Sequence, residues 1–252
     1  RDRSKKASAG YRAEGDPIPV KGALFSSKVL PPYLLGVITT ATKEALRYST
    51  PDLENILKQA MLTDTGETLD ASVMSAAAAV AGKSPAGLLN GVVPITSSGQ
   101  DLDQITADVR AMKTTFVNAN VGVSGLYWIM NDATVLFLQT VTNALGAYVY
   151  KDDLAKGMWE GLPYVASTSA DNDSIILMSC SQIPFALSAP EISTSMEATL
   201  HEDDTTPGNV GGSNNGRSLF QTSSWAIKTE FVQSHTVLRV PSVQVLDITA
   251  WT

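Results

Sequence analysis

The stretch from Ser49 to Gly82 constrains this chain more than any other, because it reads as one uninterrupted helical element with stop signals at both ends. Thr50 suits the N-cap and Pro51 the first helical position. Asp52 and Glu54 set negative charge against the positive end of the dipole, and Gly82 suits the far end. At about 1.5 Å per residue the element predicts a rod of about 45 Å. Placed on a helical wheel, Leu53, Ile56, Leu57, Ala60, Ala71 and Met74 share one side, and Leu62, Leu69, Val73, Ala77 and Val80 gather nearly opposite. The apolar stripe changes side along the rod, so its two ends must meet different neighbours. The alternative on periodicity alone is a bundle helix broken near Asp64–Gly66.

The chain as a whole has material for a core around such a spine: 252 residues, 44% hydrophobic and 17% charged, enough for one or two domains. A formal charge of −7 argues against a protein whose main task is gripping phosphate backbones. One cysteine, Cys180, rules out an internal disulfide framework, and His201 and His235 add no zinc spacing to it. Its place in the apolar run Ile175–Cys180 predicts an inert core thiol. No apolar window is long enough to cross a membrane and no leader pattern is visible, so we expect a soluble chain from a reducing compartment, with no membrane partner.

Residues 1–12 carry Arg1, Arg3, Lys5, Lys6 and Arg12 against a single Asp2, the pattern of a solvated basic tail. Pro17, Pro19, Pro31 and Pro32 then exclude helix, and Ala23–Phe25 and Leu34–Thr40 read as extended segments. Such an arm cannot lie at the centre of a sheet, so its backbone should lie along another surface, its own body or a neighbouring subunit, and of these we expect the neighbour. Beyond the spine, helices are expected over Asp101–Asn118, with Leu102, Ile105, Val109, Met112 and Phe116 on one face, and over Asp132–Leu145, closed by Gly146. Strands are expected at Leu126–Met130, Leu162–Ala166, Ile175–Cys180, Ile192–His201, Phe220–Phe231, Thr236–Val240 and Val243–Trp251. A long polar loop spans residues 201–217.

Searches for chemistry return fragments only. Ala81–Gly82–Lys83–Ser84 has the end of a phosphate loop, but Ala77 stands where its first glycine belongs, and Lys and Ser follow a helix instead of opening one. Gly122–Val123–Ser124–Gly125 is one residue short of a nucleophile elbow. His201–Asp204 lacks the alternating ligands of a calcium loop, and nothing fixes the separation of Asp152, Asp153 and Glu160. No catalytic, cofactor or metal site is expected, and a structural role fits best. An α/β enzyme with a site in residues 118–165 is the competing class, and a surface-binding or tail module the third.

Four places together resemble the major capsid protein of tailed double-stranded DNA phages, the Hong Kong ninety-seven type fold. Ala13–Lys21 is similar to the segment by which that family's E-loop returns to the body. Leu69–Asp70 followed by Pro85–Asn90 resembles the turn leaving its long P-domain helix. Tyr127–Asn131 and Gly161–Val165 look like A-domain signatures, and Ser218–Phe220, Trp225–Lys228 and Val240–Pro241 follow in the family's order. Ala78–Gly82 departs from the Gly-Asp-Gly of many members, and Asn131–Asp132 from their Asn-Pro. About a dozen residues precede the Glu14 region, so the chain shown is expected to start inside the E-loop.

The resemblance implies an α+β fold. Residues 1–35 would be an extended arm (a partial E-loop), 36–87 and 188–240 a P-domain of spine helix and long antiparallel strands, and 88–187 and 241–252 an α/β axial A-domain. It implies copies of the chain forming hexamers and pentamers of an icosahedral head around DNA, bound without sequence preference, with scaffold, maturation protease, portal and decoration proteins as further partners. Arg12, Glu14, Asp16, Pro17 and Lys21 would make contacts between subunits. Some relatives weld lysine to asparagine between subunits; here no motif selects a pair among Lys5, Lys6, Lys21 and Asn209, Asn214, Asn215.

Overall fold

The computed structural model describes residues 11, 14, 28–48, 53–122, 125–201 and 216–251. Along them run β1 (Tyr33–Thr42), α1 (Lys43–Tyr48), α2 (Leu53–Val73), β2 (Ile95–Thr96), α3 (Leu102–Asn118), β3 (Leu126–Met130), α4 (Asp132–Thr140) and α5 (Lys151–Ala155). Then come β4 (Met158–Trp159), β5 (Leu162–Ala166), β6 (Ser174–Ser179), β7 (Phe185–Leu187), β8 (Glu191–Ser195), β9 (Thr199–His201), β10 (Gly216–Ser218), β11 (Ser224–His235) and β12 (Val243–Asp247). The architecture is mixed α+β.

The spine is present as α2 but shorter than its sequence suggests: 21 residues, about 30 Å. Thr50 and Pro51 lie outside the described residues. The helix runs unbroken through Gly66 and ends because the following segment takes its last carbonyls. Leu88 N donates to Val73 O at 2.8 Å, Leu89 N to Ser75 O at 3.2 Å and Gly87 N to Ala77 O at 3.0 Å. Ala76–Ala79, a strong helix former, is thereby held out of helix. Gly82, with φ +72°, sits in the tight turn that pairs Val80 with Ser84. A Cβ on Gly87 would lie 2.0 Å from Ser75 O, so only glycine permits this crossing.

The changing side of the stripe is present. Leu53, Leu57, Met61, Thr65, Leu69 and Val73, every fourth residue, are all buried or half-buried. Each step of four advances about 40° round the helix, so the row turns through about 200° from one end to the other. Near the N-terminal end, Leu57 and Met61 pack with Trp225, Ile227, Ala41 and Leu46. At the C-terminal end, Val73 and Met74 pack against a second cluster that includes Leu88, Ile129, Ile176 and Val245. Ile56, Ala60, Leu62 and Ala71, expected on these faces, are exposed, as are Ala77 and Val80, which lie beyond the end of the helix.

Those two ends belong to two sheets. The first is four-stranded and antiparallel: β1 pairs along its whole length with β11, and β11 pairs on its other side with β8 and β7. One strand, β11, replaces the two expected at Phe220–Phe231 and Thr236–Val240. Phe220 lies in the turn before it, where Ser223 takes φ +48°, and after His235 the backbone bonds to residues 182–184 instead of a strand. The expected strand Ile192–His201 is divided, because β8 pairs with β11 whereas β9 pairs with β10.

The second sheet has six strands in the order β2-β12-β6-β3-β5-β4. Its centre, LYWIM, SIILMS and VQVLD, is almost continuously apolar because both faces are covered. One face carries Trp128, Met130, Ile175 and Leu177 against α3, whose Ile105, Val109, Met112 and Phe116 form the stripe read from the sequence. The other carries Ile129, Ile176 and Val245 under the segment that follows α2. Trp128 Nε1 donates to Trp159 O at 3.1 Å, and the two rings lie 4.6 Å apart.

Helix α4 stops at Thr140, short of the expected Leu145, because Thr142 and Tyr148 pair across a turn whose tip holds Gly146 at φ +77°. Cys180 is exposed, contrary to the core position its apolar run suggests. Strand β6 ends at Ser179, and the chain tightens into a single turn at Cys180–Gln182 that lifts the thiol off the sheet.

Candidate assembly surfaces

In the four-stranded sheet, residues paired directly across strands share a face. Trp225, Ile227 and Phe231, with Ala41, Thr39 and Leu35 opposite them, therefore point to the α2 side. Leu34, Ile38, Ala226, Lys228, Glu230 and Val232 point away from it. On this outer face Leu34 is 64% and Ile38 49% exposed, and Leu34 stands directly opposite the partly exposed Val232. Lys228 and Glu230 pair across it at 2.8 Å. A groove of about 260 Å³ runs along the same face, between Ile38 and Ala226 on the sheet and Ala198 and Leu200 beside it. Among the described residues the face is thus apolar, open and marked by one ion pair, which is interface chemistry more than catalytic chemistry.

Beside the six-stranded sheet, Leu145 at the tip of the turn after α4 is 93% exposed, and Leu136 and Tyr148 are exposed with it. The turn is locally fixed: Asn143 Oδ1 accepts from Leu145 N at 2.9 Å and Ala147 N at 3.0 Å. Leucine at the end of a fixed turn costs hydration unless something covers it.

The fragments of motif do not assemble into a reacting centre. Lys83 and Ser84 lie in the pairing turn after α2, not at a helix start, and Val123 and Ser124 lie outside the described residues, as do Glu202, Asp203 and Asp204. Glu160 stays apart from Asp152 and Asp153 in its partners. It occupies, with Gly161, the two left-handed positions of the turn between β4 and β5 (φ +50° and +77°), where Lys113 Nζ donates to its carbonyl at 2.7 Å. Burial pushes the Lys113 ammonium below its usual range, with Glu160 acting in the opposite sense, and burial pushes the Tyr150 phenol up. Asp153 pairs with Lys156 at 3.5 Å on an exposed surface.

Cys180 is raised, by partial burial. Among the described residues no three His, Cys, Asp or Glu side chains converge as a metal site requires. No described helix is long and apolar enough to cross a membrane.

One polar cluster escaped the sequence reading. Asp108, on the buried face of α3, accepts from Ser97 Oγ at 2.7 Å, Ser98 N at 2.9 Å and Ser98 Oγ at 2.8 Å, and Ser97 Oγ in turn accepts from Trp251 Nε1 at 2.8 Å. It ties the loop before α3 to the end of the chain and is satisfied within the fold, which makes it a brace. An aspartate on an otherwise apolar face was its only sequence signal. Of the expected contact residues between subunits, Glu14 is exposed, and Arg12, Asp16, Pro17 and Lys21 lie outside the described residues.

Comparison with known proteins agrees with an assembly surface in place of a catalytic one. Residues 1–196 match the model of the phage capsid family. A capsid polyprotein of Pseudomonas phage PAJU2 is 33% identical over 198 residues, which are 76% of this chain and 30% of that relative, so the match spans under a third of the relative's length. A solved structure from Mycobacterium phage Adephagia superposes with a TM-score of 0.71 at 16% identity, over 96% of this chain and 82% of the other. One from Gordonia phage Cozz gives 0.72 at 15% identity, over 97% and 78%. The capsid of an empty GTA particle gives 0.66 at 14% identity, over 98% and 83%. At these identities the superpositions establish the fold.

Proposed function

This chain belongs to the phage capsid family, whose members are structural proteins of the virion shell and not enzymes, and from that membership we propose that it is a self-assembling tile of a phage head. Copies form hexamers and pentamers that close into an icosahedral shell around double-stranded DNA. In this reading residues 36–87 and 188–240 are the P-domain, residues 88–187 and 241–252 the axial A-domain, and residues 1–35 part of an E-loop reaching a neighbour, with Arg12, Glu14, Asp16, Pro17 and Lys21 at that contact.

The observation that carries the reading is the pair of separate apolar surfaces left uncovered by the described residues, the outer face of the four-stranded sheet bearing Leu34 and Ile38 and the turn after α4 bearing Leu145. Two separate patches on one chain allow contacts round a ring and contacts between rings, and small contacts repeated round a closed array sum to a stable shell. A charge of −7 suits a wall that encloses DNA without holding it. Scaffold, maturation protease, portal and decoration proteins are the further partners this role implies.

Negative-stain microscopy with sedimentation of the purified chain tests it. Rings or shells that disperse in a Leu34→Asp, Ile38→Asp variant of unchanged thermal stability are expected. A chain that stays monomeric at high concentration, with intact mass, overturns the proposal.

A further inference from the structure

A second groove lies apart from both apolar surfaces, where the segment after α2 crosses the end of the six-stranded sheet. It holds about 360 Å³, and Leu89, Val92, Pro94 and Val245 form its apolar floor. Its rim carries three carboxylates, Asp171, Asp173 and Asp247. Asp247 Oδ1 already accepts from Thr249 N at 3.1 Å and from Thr249 Oγ1 at 2.9 Å, which fixes its orientation. The ion pairs among the described residues lie elsewhere, at Lys58–Glu54, Lys113–Glu160, Lys156–Asp153 and Lys228–Glu230, so no described lysine or arginine neutralises this rim.

An apolar floor beneath a ring of negative charge fits a side chain with a hydrocarbon stem and a cationic head, which is the chemistry of lysine and arginine. The chain itself supplies such side chains densely in one place. Residues 1–12 hold five bases and one acid, a charge of +4, and the remaining residues therefore carry −11 of the overall −7. We propose that this groove receives the basic segment at residues 1–12, with Lys5 or Lys6 seated over the floor and its ammonium among Asp171, Asp173 and Asp247. The segment then has a defined seat on the sheet end instead of a solvated one, and the contact weakens with salt.

Two measurements on the full chain test this. Zero-length carbodiimide coupling followed by mass spectrometry is expected to join Lys5 or Lys6 to one of the three aspartates. Tryptic cleavage after Lys5 and Lys6 is expected to be about fivefold faster in Asp171→Asn, Asp173→Asn than in the parent. In the charge-swapped protein, Asp171→Lys and Asp173→Lys with Lys5→Glu and Lys6→Glu, cleavage after Arg3 should return toward the parent rate, whereas Asp171→Lys, Asp173→Lys alone should leave it fast, a difference that only direct pairing produces. Cleavage rates unchanged by the asparagine substitutions, with couplings only to other carboxylates, overturn the proposal. Shell formation is read separately, so this result and that of the head reading are distinguishable.

Discussion

The six-stranded sheet and the four-stranded sheet bury their residues in different ways. In the first, strands β3, β6 and β12 are covered on both faces, and Trp128, Trp159, Ile105, Met112 and Phe116 are fully enclosed. In the second, α2 covers one face with a cluster of only Met61, Trp225 and Ile227, and the opposite face stays open at Leu34 and Ile38. The first sheet is complete within the chain, because its central strands are covered by α3 on one face and by the segment after α2 on the other. The second is complete only when something outside the described residues lies over it. Stability should therefore be concentrated in the first sheet and capacity for contact in the second.

The largest expected effect probes the enclosed side of that contrast. Trp128→Ala removes the ring packed at a tilt against Trp159 and its hydrogen bond to Trp159 O, and should cost about 3–5 kcal/mol, read as the shift of a urea unfolding midpoint. Amide exchange should rise through β3 and β6 well before β1. Equal loss in both sheets would show that they unfold as one unit and erase the distinction.

Gly87→Ala attacks the join. A methyl group 2.0 Å from Ser75 O forces the segment after α2 away from the helix end, and about 3 kcal/mol is expected, with exchange opening first at Leu88 and Leu89. Met61→Ala, in the thin cluster, should cost about 2 kcal/mol, the lower end for such a truncation, because few neighbours lose contact there.

Two smaller effects sharpen the comparison. Gly66 lies inside α2 with nothing within 4 Å of where a Cβ would stand, so Gly66→Ala should raise stability by about 1 kcal/mol. A loss instead would mean that the helix bends there. The smallest effect is at acid pH. Hydrogen bonds from Thr249 hold the Asp247 carboxyl below its ordinary range. Its contribution is fully present above the unfolded value near 3.8 and is lost as pH falls through the lower folded value. Asp247→Asn should flatten the acid limb of the stability curve slightly, and an identical limb in both proteins would discard the contribution.

Legibility in the sequence followed how local the cause was. The stripe of α3, the apolar run of β3 and the drift of the α2 stripe each depend on spacing within one element, and each is present in the structure. The end of α2 was not legible, because Ala76–Ala79 favours helix and yields only to Leu88, Leu89 and Gly87, which arrive from a dozen residues downstream. The exposure of Cys180 was hidden for a related reason: an apolar run does not say where its strand stops pairing. Glu160–Gly161 went unread as a two-residue turn because glutamate seldom takes a positive φ, and here Lys113 from α3 braces it.

As for the candidate surfaces, the sequence offered Leu34–Thr40 as an extended segment but not which of its residues would face outward. That needed the pairing partner in β11, almost two hundred residues away. The proline-rich arm, to which the contact residues were assigned, falls mostly outside the described residues, and its described end, Leu34–Thr40, pairs with β11 of the same chain and not with a neighbouring subunit.

The row of buried residues that winds half a circuit round α2 has a mechanical consequence. A straight seam would let either sheet slide along the helix like a drawer on a rail. A seam that winds admits only a screw motion, so any advance of one sheet along the axis must be accompanied by rotation against the other. The angle between the sheets and their separation thus become a single coordinate, and a change of curvature in any larger array would have to travel along it.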